Sequence, residues 1–254
     1  MEDRRRKDSY FIVRRLSSVL YPPETAMPLS GQGMLITIMD ADPAEEADFN
    51  RWYDREHIIE RTGIPGFLES RRYVAVDGSP KDASPRYVNF YTTQDIDTLE
   101  SPAYRAKLDN PTPWTAHHSP RFRNYTRVVA RVTGSKGQGR GGALALSRIR
   151  PPASGREALR NAILAQFDAV IAVDRIISAH LYEADAALSN PLERVAPAAA
   201  GDWYVAVDGT DADAVGQAAD QRFGRGARLP AGELIAFGAY RLLWDLAKAE
   251  LDRQ

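Results

Sequence analysis

The chain has 254 residues, of which 44% are hydrophobic and 26% charged, and its formal net charge is −1. Charges this closely balanced argue against nucleic acid or an anionic membrane as a partner, because both need a basic surface. The chain has no cysteine, which excludes disulfides, thiolate nucleophiles and cysteine-ligated metals. No apolar run approaches the length of a membrane span. We therefore expect a cytoplasmic protein, long enough for two modest domains.

Residues 1–30 are predicted to be an N-terminal extension. Arg4-Arg5-Arg6-Lys7 and the apolar run Tyr10–Val13 resemble the start of an export signal. Arg14 and Arg15 then interrupt the apolar region, and no small-residue cleavage site follows. This pattern favours a peripheral attachment over an export signal.

The first predicted unit spans residues 31–133 and begins with a strand. Asp42 and Pro43 are typical of a helix start, with Asp as the N-cap, Pro at the first helical position and Glu45 completing a capping box. The predicted elements are a strand at Met34–Met39, a helix to about Arg61, strands at Phe67–Val76 and Arg86–Thr92 with a turn at Asp77-Gly78, a helix at Ile96–Leu108 and a strand at Phe122–Val132.

A glycine-dense polar segment, residues 134–142, is predicted to be a flexible linker. The order of elements then recurs over residues 143–254. The predicted elements are strands at Ala143–Arg148, Ile176–Glu183, Trp203–Val207 and Leu234–Trp244, with helices at Gly155–Val170 and Ala212–Phe223.

The fold class predicted from this order is α+β, with two tandem ferredoxin-like βαββαβ units. An antiparallel sheet with both helices on one side leaves its other face bare, and that face must be covered. We therefore expect the two units to form one α/β barrel with the helices outside. The linker favours a barrel within one chain. A homodimer, in which each half pairs with its counterpart, is the alternative.

The segment Phe49–Tyr73 carries a helix ending near Glu56-His57, the turn Gly63-Ile64-Pro65-Gly66 and a strand bearing Arg72. It resembles the dimeric α/β-barrel superfamily, in particular its EthD-like branch. The resemblance extends through Arg86–Tyr91, Ser101–Tyr104 and Asn110–Trp114, and so covers roughly residues 33–132. It implies the barrel fold. It leaves the chemistry open, because the superfamily includes isomerases, cyclases, cofactor-free oxygenases, haem enzymes and proteins with no known activity.

His57 and Glu56 are the candidate catalytic residues. On an α-helix Phe49, Tyr53 and His57 share one face, so the core-facing stripe ends in a titratable group. Imidazole exchanges protons near neutral pH. Glu56 or Glu60 is a candidate to orient the ring. The alternative for His57 is a core histidine bonded to a backbone carbonyl.

The candidate substrate-binding residues lie around this helix and its neighbouring strands. Arg71 and Arg72 are consecutive on a strand, so they point to opposite faces. Arg72 shares its face with Ser70, and Arg71 shares its face with Tyr73. The candidates are Trp52, Tyr53, Arg72, Tyr73, Tyr91, Trp114 and His118.

The remaining histidines predict no metal site and no cofactor. His117 and His118 are adjacent, and adjacent histidines do not easily bind one ion from regular structure. The segment Pro113–Pro120 is predicted to be a loop that acts as a lid, with Trp114 over a pocket. His180 lies on a strand of the second half. Tandem ferredoxin-like haem enzymes, which this chain resembles in its order of elements, take one axial histidine from their second half. No haem-pocket pattern surrounds His180 in the sequence.

The function predicted from these features is a cofactor-independent enzyme acting on a small, partly apolar molecule, such as an aromatic, lactone or polyketide-like compound. His57 would act as general acid/base in an isomerisation, cyclisation or elimination. A cofactor-free monooxygenase is the alternative within the superfamily. A binding or assembly module with a filled barrel is the alternative outside enzymes.

Overall fold

The computed structural model describes residues 29–76, 85–189, 201–230 and 232–251. The expected extension 1–30, apart from its last two residues, lies outside these ranges, as does the expected turn at Asp77-Gly78. No helix formed by the described residues has the length and apolar character needed to cross a membrane.

The described residues form eight strands that close into one antiparallel barrel. The strands are β1 Gly33–Asp40, β2 Phe67–Ala75, β3 Tyr87–Thr93, β4 Arg123–Gly137, β5 Ala143–Arg150, β6 Ile176–Ala184, β7 Trp203–Gly209 and β8 Glu233–Ala247. Their order around the barrel is β1-β3-β2-β8-β5-β7-β6-β4. Each half therefore contributes one four-stranded sheet, and the pairs β2–β8 and β4–β6 join the two sheets. The predicted fold class is confirmed, with the barrel closed inside a single chain.

The helices pack against the outer faces of the two sheets. They are α1 Glu46–Trp52, α2 Ile58–Thr62, α3 Pro102–Asp109, α4 Pro113–His118, α5 Arg156–Ala165, α6 Phe167–Ile171, α7 Ala212–Phe223 and α8 Lys248–Leu251. A π-helical turn, Tyr53–His57, joins α1 to α2. The first helix starts later than predicted, because Asp42 closes a turn through Ala44 N and Glu45 N instead of capping a helix at Pro43.

The interior of the barrel is filled by side chains from both halves. Alternate residues of each strand point inward, so Ile36 and Phe90 of the first sheet meet Leu146 and Tyr182 of the second. Tyr73, Tyr204 and Tyr240 complete this interior. The opposite faces carry Leu35, Tyr91 and Val129 in the first half, and these residues lie under the helices. A candidate site beside the helices is therefore outside the barrel interior.

The segment that links the two halves is shorter than predicted. β4 continues to Gly137 and pairs with β6, with Gly137 opposite Ser178, so the strand takes up the first part of the expected linker 134–142. Ladder hydrogen bonds outweigh the polar, glycine-rich composition here. Arg140 forms an ion pair with Glu69, and Gly141 O accepts a hydrogen bond from Arg71. The short linker is thus bound to β2.

Candidate functional site

The candidate site begins with the π-helical turn Tyr53–His57. The backbone N–H of Ile58 donates to the carbonyl of Tyr53, five residues earlier, so one turn here takes five residues. Residues 52 and 57 consequently lie one above the other, and the rings of Trp52 and His57 are 4.5 Å apart. π-helical turns occur often at functional sites. The spacing of four in the sequence predicted that only Tyr53 would lie next to His57. The rings of these two residues are 4.9 Å apart.

His57 lies in a cluster of aromatic rings between this helical segment and the outer face of the first sheet. Its ring contacts Trp52 and Tyr53, and Tyr91 of β3 is 6.5 Å away. The side chain is partly exposed, but Nδ1 is buried and has no hydrogen-bond partner among the described residues. Burial lowers the pKa of His57 well below 6.5, and the charges of Arg61 and Arg72 lower it further. The imidazole is therefore neutral at pH 7.

Arg72 lies fully buried between the helical segment and β2. Its guanidinium donates to Asp54 Oδ1 and to Asn50 Oδ1, each at 2.5 Å, and lies 4.4 Å from the centre of the Tyr53 ring. A buried guanidinium needs a counter-charge to offset the loss of its hydration, and Asp54 supplies one. Arg72 thus holds the turn against the sheet, and its two terminal nitrogens are engaged by the protein itself.

A row of hydroxyl groups lies beside His57. Tyr91 OH donates to Tyr53 OH at 3.2 Å, and Tyr53 OH is 3.4 Å from Thr37 Oγ1. Asn89 Nδ2 donates to Thr37 Oγ1, while Asn89 Oδ1 is buried without a partner in the described residues. Burial raises the pKa of Tyr53 and, more strongly, of Tyr91. Both phenols are neutral and available as hydrogen-bond donors or acceptors.

Two predicted site residues do not join this group. Glu56 Oε1 accepts a hydrogen bond from Thr112 Oγ1 at 2.5 Å, and no hydrogen bond joins Glu56 to His57 in the part of the chain described. Consecutive helical residues point in different directions, so Glu56 does not orient the ring. Tyr73 lies on the opposite face of the sheet, in the barrel interior, with its hydroxyl 3.5 Å from Asp208 Oδ1.

The segment predicted to be a lid loop is the helix α4. Thr112 caps it by accepting from Thr115 N, and Pro113 occupies its first turn. Trp114 Nε1 and His118 Nε2 both bond to Asp48 Oδ2, at 3.0 Å each, so the helix is fixed to α1. The His118 ring lies 5.1 Å from Trp52. Trp114 and His118 therefore support the aromatic cluster from behind Trp52.

The adjacent histidines were expected not to bind one metal ion, but the structure brings a group of possible metal ligands together around them. Ligand atoms of Glu45, His117 and His118 all lie within 4.8 Å of one another, because the end of α4 meets the start of α1. His117 Nε2 is 3.1 Å from Glu45 Oε2, and His118 Nε2 bonds to Asp48. Arg121 lies 3.6 Å from the same Glu45 oxygen and supplies a positive charge there.

His180 does not fit the role of a haem ligand. Its side chain is fully buried inside the barrel, with Nδ1 2.6 Å from Ser135 Oγ and Nε2 3.1 Å from Ser178 Oγ. Tyr182 stacks at 6.1 Å. Both ring nitrogens are engaged and the surrounding interior is filled by side chains, so this histidine offers a haem iron neither a free ligand atom nor space.

Arg61 is the residue of this site that the sequence analysis missed. It lies on α2, four residues after His57, and only 6% of it is exposed. Its charge acts on His57, Tyr53, Tyr91 and Tyr125. No hydrogen bond or ion pair to its side chain is formed by the described residues, and its Nη1 is buried and unpaired. The spacing of four from His57 was the signal in the sequence.

Comparison with known proteins confirms the fold. No protein-family model and no curated protein matches the chain. Among solved structures, an anthrone oxidase-like protein is similar, with a TM-score of 0.61 and 10% identity over 87% of this chain and 95% of that protein. A DyP-type peroxidase from Mycobacterium smegmatis has a TM-score of 0.52 and 10% identity over 91% of this chain and 96% of that protein. At such identities the likeness concerns the ferredoxin-like α+β barrel fold.

Proposed function

We propose that this protein is a cofactor-independent enzyme in which His57 removes a proton from a small, partly apolar substrate. The state of His57 carries the proposal. Its imidazole is neutral, partly exposed, surrounded by aromatic rings and without a hydrogen-bond partner for Nδ1 among the described residues. A structural histidine bonded to a carbonyl would have that nitrogen satisfied. We propose in addition that the protein belongs to the EthD-like branch and that it is cytoplasmic.

The low pKa of His57 limits the substrate class. A weak base takes protons efficiently only from acidic groups, such as a C–H activated by two carbonyl or aryl groups or a phenolic O–H. Aromatic, lactone and polyketide-like compounds carry such protons, and the partly exposed ring of His57 lies against the buried rings of Trp52 and Tyr53, which give it apolar surroundings. The proton passes to His57 and the electron pair stays on the substrate as an enolate. Isomerisation, cyclisation and elimination all proceed from that enolate.

A cofactor-free monooxygenase is a second candidate, favoured by the fold similarity to the anthrone oxidase-like protein. The proton transfer to His57 is the same in this case. The electron-rich enolate then reduces dioxygen, so that a methylene group and O₂ give a carbonyl group and one molecule of water. Dioxygen is the only oxidant that this balance requires.

Anthrone, which has an acidic methylene group, is a suitable probe for both candidates. Without oxygen, the wild-type protein should accelerate exchange of the methylene protons in D₂O, followed by NMR. With oxygen, uptake of O₂ reports the oxygenase. His57→Gln should lower either rate by about 10²-fold or more, while exposed His117→Ala should not change it.

Two results would contradict the proposal. A wild-type protein that binds anthrone but leaves its exchange at the rate in buffer would be a binding module. A His57→Gln variant that exchanges at the wild-type rate would place the base elsewhere.

A further inference from the structure

Four arginines of the described residues are more than nine-tenths buried, and they differ in their partners. Arg71 bonds to Asp208 and Gly141 O, Arg72 to Asp54 and Asn50, and Arg127 to Leu188 O and Tyr104 OH. The fourth is Arg61, for which the described residues provide no hydrogen bond and no ion pair.

Burying a guanidinium without a partner is costly, because the group loses its hydration and gains nothing in return. The structure offsets that cost at Arg71, Arg72 and Arg127. The charge of Arg61 contributes to the pKa shifts of His57 and of the phenols of Tyr53, Tyr91 and Tyr125. The phenols are protonated at neutral pH, because the pKa of each lies above its usual value of 10. None of these groups brings a negative charge.

The position of Arg61 relates this charge to the chemistry at His57. The two residues are four apart at the junction of the π-helical turn and α2, so they share one side of the segment. Arg61 contributes to keeping His57 neutral, as a proton acceptor must be. Of the two arginines whose charges act on His57, Arg72 is bound to Asp54, whereas Arg61 has no partner among the described residues. Arg61 is therefore the cation left to meet the negative charge that appears on substrate oxygen when a proton passes to His57.

We propose that Arg61 binds the anionic oxygen, enolate or phenolate, that the substrate carries after proton transfer. This inference rests on the proposed function and narrows its substrate class to molecules that form a stable oxyanion next to an aromatic or apolar body. A fixed cation that meets charge only as the charge develops stabilises the transition state more than the ground state.

The test uses 4-nitrophenol, which ionises to a coloured phenolate, and 4-nitroanisole, which has nearly the same shape and cannot ionise. Wild-type protein should bind the phenolate about 10–100-fold more tightly than the anisole, as expected for hydrogen bonds to a charged group. The absorbance titration of bound 4-nitrophenol should shift to lower pH. Arg61→Met should abolish both effects and keep the affinity for 4-nitroanisole. Arg61→Lys should keep part of them, and the exposed Arg105→Met should keep them in full.

His57→Gln separates this inference from the proposed function. That variant should retain the preference for phenolate even where proton transfer to anthrone is lost, since the charge is held by Arg61. Equal phenolate binding by wild type and Arg61→Met would overturn the inference.

Thermal unfolding without ligand gives a second readout. Removing an unpaired buried charge should leave the melting temperature of Arg61→Met equal to or above that of wild type. A large fall would overturn the inference, because it would show that the protein itself already satisfies Arg61.

Discussion

Arg71 on β2 and Asp208 on β7 form an ion pair across the barrel interior, with 3.2 Å between Nη1 and Oδ1. The two side chains are 7% and 4% exposed, and Tyr73 OH lies 3.5 Å from the same carboxylate oxygen. The pair connects the first half of the chain to the second. It is therefore a structural link between the two sheets and stands apart from the aromatic cluster at His57.

Asp208→Asn should destabilise the protein by about 3–5 kcal/mol at pH 7, because it leaves the buried Arg71 without a counter-charge. Urea unfolding measures this loss. The matched control is Asp168→Asn, whose pair with Lys136 is exposed on both sides and should contribute less than about 1 kcal/mol. Similar, small changes for the two variants would show that Arg71 finds another partner inside the barrel.

The contribution of His180 to stability should fall in mild acid, because His180 is buried in its neutral form. Burial, followed by the charges of Arg140 and Arg71, lowers the pKa of His180 to about 3. In the unfolded chain that pKa is about 6.5. The folded-state pKa is the lower of the two, so the stabilisation is complete above pH 6.5 and is lost as the pH falls toward 3. The expected slope is about 1.4 kcal/mol per pH unit from this residue.

His180→Asn should therefore show a weaker loss of unfolding free energy between pH 7 and pH 5 than wild type, measured by urea unfolding at both values. Asp208 acts in the opposite direction. Burial raises its pKa to about 6, so its contribution to stability increases as the pH falls through that value. Asp208 is present in both proteins, and its Oδ2 lies 4.0 Å from His180 Nε2, so the difference in slope reports His180 together with its effect on Asp208. Identical slopes would show that His180 is protonated in the folded state.

The two adjacent histidines should differ strongly in their effect on stability. His118 is 2% exposed and packs between Trp52 and Phe49, so His118→Ala leaves a cavity and should cost about 2 kcal/mol. His117 is 44% exposed, and His117→Ala should change stability by less than about 0.5 kcal/mol. Thermal or urea unfolding measures both. Equal effects would contradict the packing of α4 described above.

The sequence predicted those parts of the fold that follow from periodicity and capping. The helix Ala212–Phe223 was predicted at its observed bounds, since Asp211 caps its first turn by accepting from Ala214 N. The alternation along β2 placed Arg71 and Arg72 on opposite faces, and they lie on opposite faces. Which face meets the helices depends on contacts between distant segments, so Tyr73 was assigned to the pocket although it lies in the barrel.

The candidate site was only partly predictable for the same reason. His57, Trp52, Tyr53 and Tyr91 do come together, but the π-helical turn that brings Trp52 over His57 has no counterpart in residue type or spacing. Arg61 was within reach of the spacing argument, as it lies four residues from His57. Whether the charge of Arg61 has a partner depends on the sheet that packs against α2. No local sequence pattern predicts that packing.

The two halves should assemble from separate chains. The pairs β2–β8 and β4–β6 run the length of both junctions, and the interior takes side chains from both sheets. Residues 1–138 and 139–254, produced together, should co-purify as a one-to-one complex with a single unfolding transition. Each half alone exposes an apolar sheet face and should aggregate or self-associate. A stable, soluble monomer of either half, measured by size-exclusion chromatography with light scattering, would contradict the shared interior.

The pH dependence of turnover tests the role of His57 most directly. Because burial, Arg61 and Arg72 lower its pKa well below 6.5, the imidazole stays unprotonated and competent as a base throughout the neutral range. With anthrone as the substrate, kcat/KM should be flat from pH 8 to below pH 6.5 and should fall only in stronger acid, as the base takes up a proton from solvent.

Arg61→Met removes one of the charges that oppose protonation of His57, so the acid limb of this variant should move to higher pH. The variant should also lose turnover, because it lacks the proposed partner of the substrate oxyanion. Arg105→Met, on the exposed side of α3, should leave the limb in place. A limb that stays at the same pH in all three proteins would assign the titration to another group. His57 would then be a packed aromatic residue, and the proton acceptor would be a different group.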